Sequence, residues 1–225
     1  MYFFIEPAAS KLAAMANAEK AVFMKAYMKN KFEFLGVPAP ERRKVCKNYM
    51  KEHKLTDEKE LKTVVKELWM MREREFQYFA IELLAYNKKL WQLPVINLFE
   101  YCITNKSWWD TVDFMANECT GEYFKTFPEQ IIPVTGQWNK SPHMWLQRSS
   151  LLFQKSYKQD TDTNLLSAYI LNLASSKEFF IQKAIGWVLR EYAKTNRLWV
   201  ENFVTEYPIA ALSKREATKH FLGII

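Results

Sequence analysis

The chain has 225 residues, of which 49% are hydrophobic, and its 32 basic against 25 acidic residues give a formal net charge of +7. That composition excludes a disordered segment. With only 5 glycines, the chain is also unsuited to hairpin-rich β folds and Gly-rich phosphate loops. The positive charge favours a polyanionic partner such as nucleic acid, because cations that neutralise phosphates release counterions. A basic surface without such a partner is the alternative.

Helical spacing of apolar residues predicts helices over 19–34, 59–69, 73–85, 94–104 and 163–173 in chain order. Breaks rich in Pro, Asn, Ser or Gly fall around 36–40, 87–90, 139–142 and 175–176. No segment alternates polar and apolar residues with a period of two. The predicted fold class is therefore all-α.

No metal site, secretory signal or membrane span is predicted. The three cysteines, Cys46, Cys102 and Cys119, share no C-x-x-C spacing. The three histidines, His53, His143 and His220, lie far apart in the sequence, so no zinc site is expected. The cysteines are interpreted as small buried apolar residues in a reducing compartment. The N-terminus lacks a basic start followed by a long apolar run, and no apolar run reaches the ~18 residues of a membrane span. We expect a cytoplasmic protein.

A repeat of 35 residues relates four segments, at 75–80, 110–115, 145–150 and 180–185. Three of the four have Gln in the third place, at Gln77, Gln147 and Gln182. A period of ~35 to 45 residues with two helices per unit is typical of HEAT-like or TPR-like α-solenoids. We therefore predict a single α-solenoid domain over 1–225, with the clearest repeats at about 70–220.

The same register predicts a column of polar residues at equivalent points on four helices: Tyr78, Asp113, Arg148 and Lys183. Trp109 precedes Asp113 by four residues and Trp187 follows Lys183 by four, so each shares a helical face with its partner. Two indoles, a carboxylate and a guanidinium would then line one strip of the inner surface. Trp108 points about 100° away from Trp109 and is assigned to packing.

At these residues the chain resembles the AlkD-type alkylpurine DNA glycosylases. The matching blocks lie in collinear order over nearly the whole chain, at 34–43, 106–113, 145–148, 175–192 and 212–217. The resemblance implies a HEAT-like repeat solenoid with a concave, basic groove for double-stranded DNA, and removal of N3- and N7-alkylated purines. It also implies an active-site cleft formed by Trp109, Asp113 and Trp187, with Arg148 on the DNA backbone.

These residue types suit that chemistry. A cationic alkylated purine is a good leaving group, so the carboxylate of Asp113 mainly has to stabilise an oxocarbenium-like sugar and orient a water. The indoles of Trp109 and Trp187 attract cationic groups, and Arg148 would hold a phosphate without reading sequence. No metal or organic cofactor is required. An alternative role for Lys183, as a Schiff-base amine in a glycosylase with lyase activity, stays open beside pairing with an anion.

The predicted DNA contacts outside the cleft are less specific. The resemblance suggests that the N-terminal helices and the 36–43 loop press on the duplex, which makes Tyr27 and Arg43 candidate contacts. Three basic residues near the signature blocks are further candidates for phosphates: Lys158, Arg190 and Lys194. Ser156 stands where the family has a basic residue, and Lys155 beside it is the expected substitute. For each lone basic residue, a solvated surface position is the alternative.

Other functions fit the same fold. A HEAT-repeat scaffold that binds nucleic acid or protein without chemistry is one alternative, and an inactive relative that binds distorted or branched DNA is another. Asp113 with its two tryptophans favours the enzyme, because a carboxylate in a DNA groove repels phosphate. We expect a monomer whose shallow site selects lesions by charge and leaving-group ability, without a deep pocket for the base.

Overall fold

The computed structural model describes residues 5–219, and the regular elements within this range are helices joined by turns and loops. The helices are α1 (Glu6–Ala14), α2 (Ala18–Tyr27), α3 (Ala39–Glu52), α4 (Glu58–Met70), α5 (Arg74–Tyr86), α6 (Val95–Thr104), α7 (Trp109–Phe114), α8 (Gly121–Thr126), α9 (Gly136–Lys140), α10 (Met144–Leu152), α11 (Thr163–Leu173), α12 (Phe179–Tyr192), α13 (Arg197–Glu206) and α14 (Ala211–Thr218). No strand forms within 5–219. The predicted all-α class is confirmed. The first four residues of the N-terminus and His220 lie outside the described range.

The chain divides into two compact units, Met1–Leu98 and Phe99–Ile225. In the first unit, α3 and α4 pack against α5, and α1 packs against α3. In the second, α10 contacts α7, α9, α11 and α12, and α14 lies along α12. The helix α10 is thus the central element of the second unit.

Across residues 5–219, no helix combines the length and the apolar character needed to cross a bilayer. Nor do these residues bring three or more His, Cys, Asp or Glu side chains together in a group that could hold a metal ion.

Four helices begin at 35-residue steps, which confirms the repeat: α5 at Arg74, α7 at Trp109, α10 at Met144 and α12 at Phe179. None of the four has a hydrogen bond from its N-cap side chain. Unpaired N–H groups at a helix start usually need such partners. The turns that lead into these helices must therefore be fixed in another way.

The repeated glutamine fixes these turns in three of the four repeats. Its amide nitrogen donates to the backbone carbonyl six residues earlier: Gln77 to Met71 at 2.9 Å, Gln147 to Ser141 at 2.8 Å and Gln182 to Ser176 at 2.9 Å. Each bond holds the incoming chain against the first turn of the helix. The remaining repeat, the second in chain order, has Val112 at this position and lacks the bond. The glutamine column of the sequence is therefore a structural device of the repeat.

One predicted helix is wrong in its second half. The apolar spacing predicts a helix over 19–34, but α2 ends at Tyr27. The backbone turns at Lys29 and Asn30, with φ of 56° and 57°. This left-handed conformation ends a right-handed helix, and Asn tolerates it better than most residues. The apolar residues that follow belong to the loop before α3.

A π-helical segment, Met115–Thr120, joins α7 to α8 in one continuous helical run. Single π turns inside helices occur often at functional sites, because they locally rotate the side chains that follow. At the start of α8, a Cβ on Gly121 would lie 2.5 Å from the carbonyl oxygen of Phe153, so only glycine permits this approach. The hydroxyl of Tyr157 donates to the Gly121 carbonyl at 2.6 Å. The segment after α10 is thus fixed to the start of α8.

The cysteines are buried in the apolar core and free of disulfides: Cys46, Cys102 and Cys119. Burial raises the pKa of Cys46 to about 12, and it raises the pKa of Cys119 well above the ordinary thiol value. The interpretation of these residues as buried apolar side chains is confirmed.

The close packing of α12 and α14 depends on Gly186. A Cβ at this position would lie 2.4 Å from the Cβ of Glu216 and 2.7 Å from the carbonyl oxygen of Ser213. We expect Gly186→Ala to lower the free energy of unfolding by about 1–3 kcal/mol, because neither neighbour can move without shifting α14. Urea unfolding measures this. Gly136→Ala is the matched control, since its Cβ would meet only the Tyr169 hydroxyl at 3.6 Å. Equal stability of Gly186→Ala and wild type would contradict the prediction.

Candidate active site

The carboxylate of Asp113 forms a bidentate ion pair with Arg148. Asp113 lies near the end of α7, and Arg148 occupies the equivalent repeat position on α10. The guanidinium Nε donates to Oδ1 at 2.7 Å and Nη2 donates to Oδ2 at 2.9 Å. The two side chains are 15% and 5% exposed. The polar column predicted from the register therefore brings a carboxylate and a guanidinium into direct contact.

A third bond ties this pair to α12. Nη1 of Arg148 donates to the carbonyl oxygen of Phe180 at 2.5 Å, so the guanidinium links α7, α10 and α12. Arg148 is therefore buried between helices and does not lie free on the surface. The expected contact with a DNA phosphate stays an untested prediction.

Both tryptophans of the expected cleft keep part of their surface exposed. Trp109 is the first residue of α7, four residues before Asp113, and is half-buried. Trp187, on α12, is also half-buried, and the ammonium of Lys155 lies 4.2 Å from the centroid of its indole. Neither indole is sealed in the core. The 35-residue repeat does not predict the contact of Lys155 with Trp187.

Trp108 has a different role. Its ring packs against Trp145 at a centroid distance of 5.7 Å and against Phe180 at 5.1 Å, both edge to face. Such tilted pairs are typical of packed aromatic clusters. The assignment of Trp108 to packing is confirmed, and the cluster supports the backbone of Phe180 that Arg148 binds.

Lys183 and Arg190, both on α12, converge on Glu216 of α14. The ammonium of Lys183 lies 3.0 Å from Oε1, and Nη1 of Arg190 lies 2.9 Å from Oε2. The hydrogen bond from Lys183 lowers the pKa of Glu216, and the one from Arg190 lowers it further. The contact between helices is therefore present at neutral pH and is lost as the pH falls through this lowered pKa.

This geometry bears on two predictions. Pairing of Lys183 with a carboxylate is confirmed, and the half-exposed, paired amine differs from the buried amine that a Schiff-base role would need. Arg190 is largely enclosed and uses its guanidinium on Glu216. Its predicted phosphate contact stays untested and competes with this bond. Glu216 was missed in the sequence because α14 lies outside the 35-residue register.

The remaining DNA-contact candidates are exposed. In the first unit, Tyr27 is 68% exposed, and Arg43 is 67% exposed with only a 3.3 Å contact to Glu82. In the second unit, Lys158 is exposed, and exposed Lys194 is bound to Glu191 at 2.8 Å. Surface ion pairs of this kind exchange easily with a phosphate. These placements permit the predicted contacts without testing them.

The loop before α3, where the resemblance places DNA, is rigidly held. The buried carboxylate of Glu75 accepts three backbone N–H groups, from Leu35, Gly36 and Val37, at 2.9 to 3.2 Å. Gly36 has φ of 82°, and a Cβ there would lie 2.1 Å from the carbonyl oxygen of Asn17. Three donors compensate a buried carboxylate well. The loop therefore presents its outer side in one fixed conformation.

Comparison with known proteins identifies the family of this chain. A solved structure described as "Predicted DNA alkylation repair enzyme from Enterococcus faecalis" is 34% identical, with a TM-score of 0.87 over 92% of this chain and 97% of that one. No curated protein sequence matches the chain. The family model for DNA alkylation repair enzyme matches residues 8–221. Since that match covers nearly the whole sequence, the chain belongs to the DNA alkylation repair enzyme family.

Proposed function

We propose that this protein is a monofunctional DNA glycosylase, which hydrolyses the N-glycosidic bond of cationic N3- and N7-alkylated purines in double-stranded DNA. The observation that carries the proposal is the anchored Asp113 carboxylate, one helical turn from the half-exposed Trp109. Membership of a DNA alkylation repair family supplies the substrate class. The expected concave, basic groove and the action as a monomer are parts of the same proposal.

Asp113 would act by electrostatic preorganisation. An alkylated purine leaves without protonation because it already carries positive charge, and charge then develops on the deoxyribose. A carboxylate fixed before the substrate arrives stabilises that charge without reorganising. The 15% of Asp113 that stays exposed allows one of its oxygens to face the sugar or an attacking water.

Arg148 would act by positioning Asp113. A bidentate guanidinium fixes both the rotamer and the plane of the carboxylate. The bond to Phe180 fixes the guanidinium in turn. Three hydrogen bonds hold this side chain on Asp113 and Phe180, and its 5% exposure leaves it little access to a phosphate. We therefore assign Arg148 to the geometry of the site and leave the phosphates to exposed residues.

The exposed candidates would hold the DNA backbone. Tyr27 and Arg43 in the first unit, and Lys158 and Lys194 in the second, would bind phosphates or sugars without reading sequence. Trp109 and Trp187 would attract the cationic base or the electron-poor sugar through their ring faces. Arg190, fixed on Glu216, would mainly hold α14 against α12.

A site of this kind should discriminate lesions by charge. We expect wild-type protein to release 7-methylguanine from duplex DNA and to release no hypoxanthine above background, because a neutral base is a poor leaving group without an acid. Single-turnover incubation followed by chromatography of the free base measures both. Matched duplexes differing only at the lesion are the control.

Two outcomes would contradict this proposal. Equal release of both bases would mean that the site protonates or otherwise activates neutral bases. No release from either duplex, with DNA binding intact, would favour the non-catalytic scaffold.

A further inference from the structure

Lys155 carries a cation that the described part of the chain leaves without an anionic partner. Its ammonium lies over the indole of Trp187, 4.2 Å from the ring centroid. Within residues 5–219, no carboxylate or hydrogen-bond acceptor binds this ammonium. The face of Trp187 that it covers is therefore shared with a positive charge in the free protein. A cationic ligand would meet repulsion there.

A surface depression beside Lys155 is a second site that its ammonium can occupy. Its volume is about 300 Å³, and its lining includes Lys155, Ser156, Lys158, Tyr192, Glu191 and Lys194. Three lysines and one glutamate thus line the depression, and the carboxylate of that glutamate, Glu191, is already bound by Lys194. The excess of positive charge suits an anion such as a phosphate.

The backbone around Lys155 is fixed, so only its side chain can move between the two places. The hydroxyl of Ser156 donates to Oδ1 of Asn117 at 2.7 Å, and the hydroxyl of Tyr157 donates to the carbonyl of Gly121 at 2.6 Å. Both acceptors belong to the helical run that carries Asp113. The flexible four-carbon stem of lysine permits the movement.

We propose that Lys155 determines when Trp187 is open to a cationic group. In the free protein its ammonium covers the indole. When a DNA phosphate enters the depression, the ammonium moves to that phosphate, because a full negative charge attracts it more strongly than a ring face does. The indole is then free for the cationic base or sugar. This inference rests on the proposed function, and it gives Lys155 a role at Trp187 beyond the phosphate contact expected of it.

The test compares Lys155→Met, which keeps the stem and loses the charge, with Lys140→Met, an exposed lysine of the same unit. The slope of log binding constant against log salt, measured on undamaged duplex, should fall in magnitude by about 0.9 for Lys155→Met. Lys140→Met should keep the wild-type slope, and Lys155→Arg should restore it. At saturating protein, Lys155→Met should release 7-methylguanine at least as fast as wild type, because its indole is uncovered.

A wild-type slope for Lys155→Met would overturn the inference, since the ammonium would then never reach a phosphate. A reduced slope together with slower release at saturating protein would also overturn it, because the charge would then assist the reaction rather than compete with the substrate. Failure of the proposed function is separate. In that case wild type releases no base, while the salt slopes remain measurable.

Discussion

Asp113→Asn is expected to lower the single-turnover rate of 7-methylguanine release by on the order of 100-fold or more. The amide keeps the shape of the side chain but removes the negative charge that opposes the developing cation. DNA binding should be retained or tightened, because a carboxylate near phosphates is repulsive. Release of the free base at saturating protein, with the dissociation constant measured separately, distinguishes the two effects.

Asp113→Asn also breaks the ion pair with Arg148, so the free energy of unfolding of this variant has to be measured. Removing one partner of a buried pair typically costs about 3–5 kcal/mol, and Arg148 would be left without its carboxylate. Assays must therefore be run well below the unfolding midpoint of the variant. Asp110→Asn, a change of the same type on the same helix, is the matched control and should keep the wild-type rate. Release by Asp113→Asn at the wild-type rate would remove Asp113 from the mechanism.

Arg148→Gln is expected to lower the rate strongly, on the order of 10- to 100-fold, while leaving the salt dependence of DNA binding unchanged. Glutamine offers one amide donor group in place of a bidentate fork, so the carboxylate of Asp113 loses its fixed orientation. If Arg148 instead bound a phosphate, its removal would reduce the magnitude of the slope of log binding constant against log salt by about 0.9. The slope therefore distinguishes positioning from phosphate contact.

Lys158→Gln supplies the reference for this measurement. Lys158 is exposed and is proposed to touch phosphate, so its loss should reduce the magnitude of the slope by about 0.9. If Arg148→Gln shows that same reduction, Arg148 contacts a phosphate, and its assignment to positioning alone is wrong.

The helical repeat could be predicted because its signals are local. Apolar spacing within one helix and Gln recurring every 35 residues do not depend on distant contacts, so the starts of α5, α7, α10 and α12 follow the register. The purpose of the Gln could not be predicted. A bond to a carbonyl six residues earlier depends on the shape of the turn, which no residue type specifies alone.

The contacts of the site were harder to predict, because register gives the helical face and not the direction of a long side chain. Asp113 and Arg148 share a column, but whether the guanidinium turns inward or outward depends on how α7, α10 and α12 pack. Glu216 and Lys155 lie outside the register. The contact of Glu216 with Lys183 depends on how α14 docks on α12. The contact of Lys155 with Trp187 depends on the path of the loop after α10. Tertiary packing decides such contacts.

The buried cysteines have a consequence for a protein whose proposed substrate is made by alkylating agents. Such reagents modify thiolates far faster than neutral thiols. Cys46 and Cys119 are shielded by the core, and their raised pKa values keep them protonated. Electrophiles that methylate purines therefore meet no accessible thiolate at Cys46 or Cys119, so these two positions should stay unmodified under the exposure that creates the substrate.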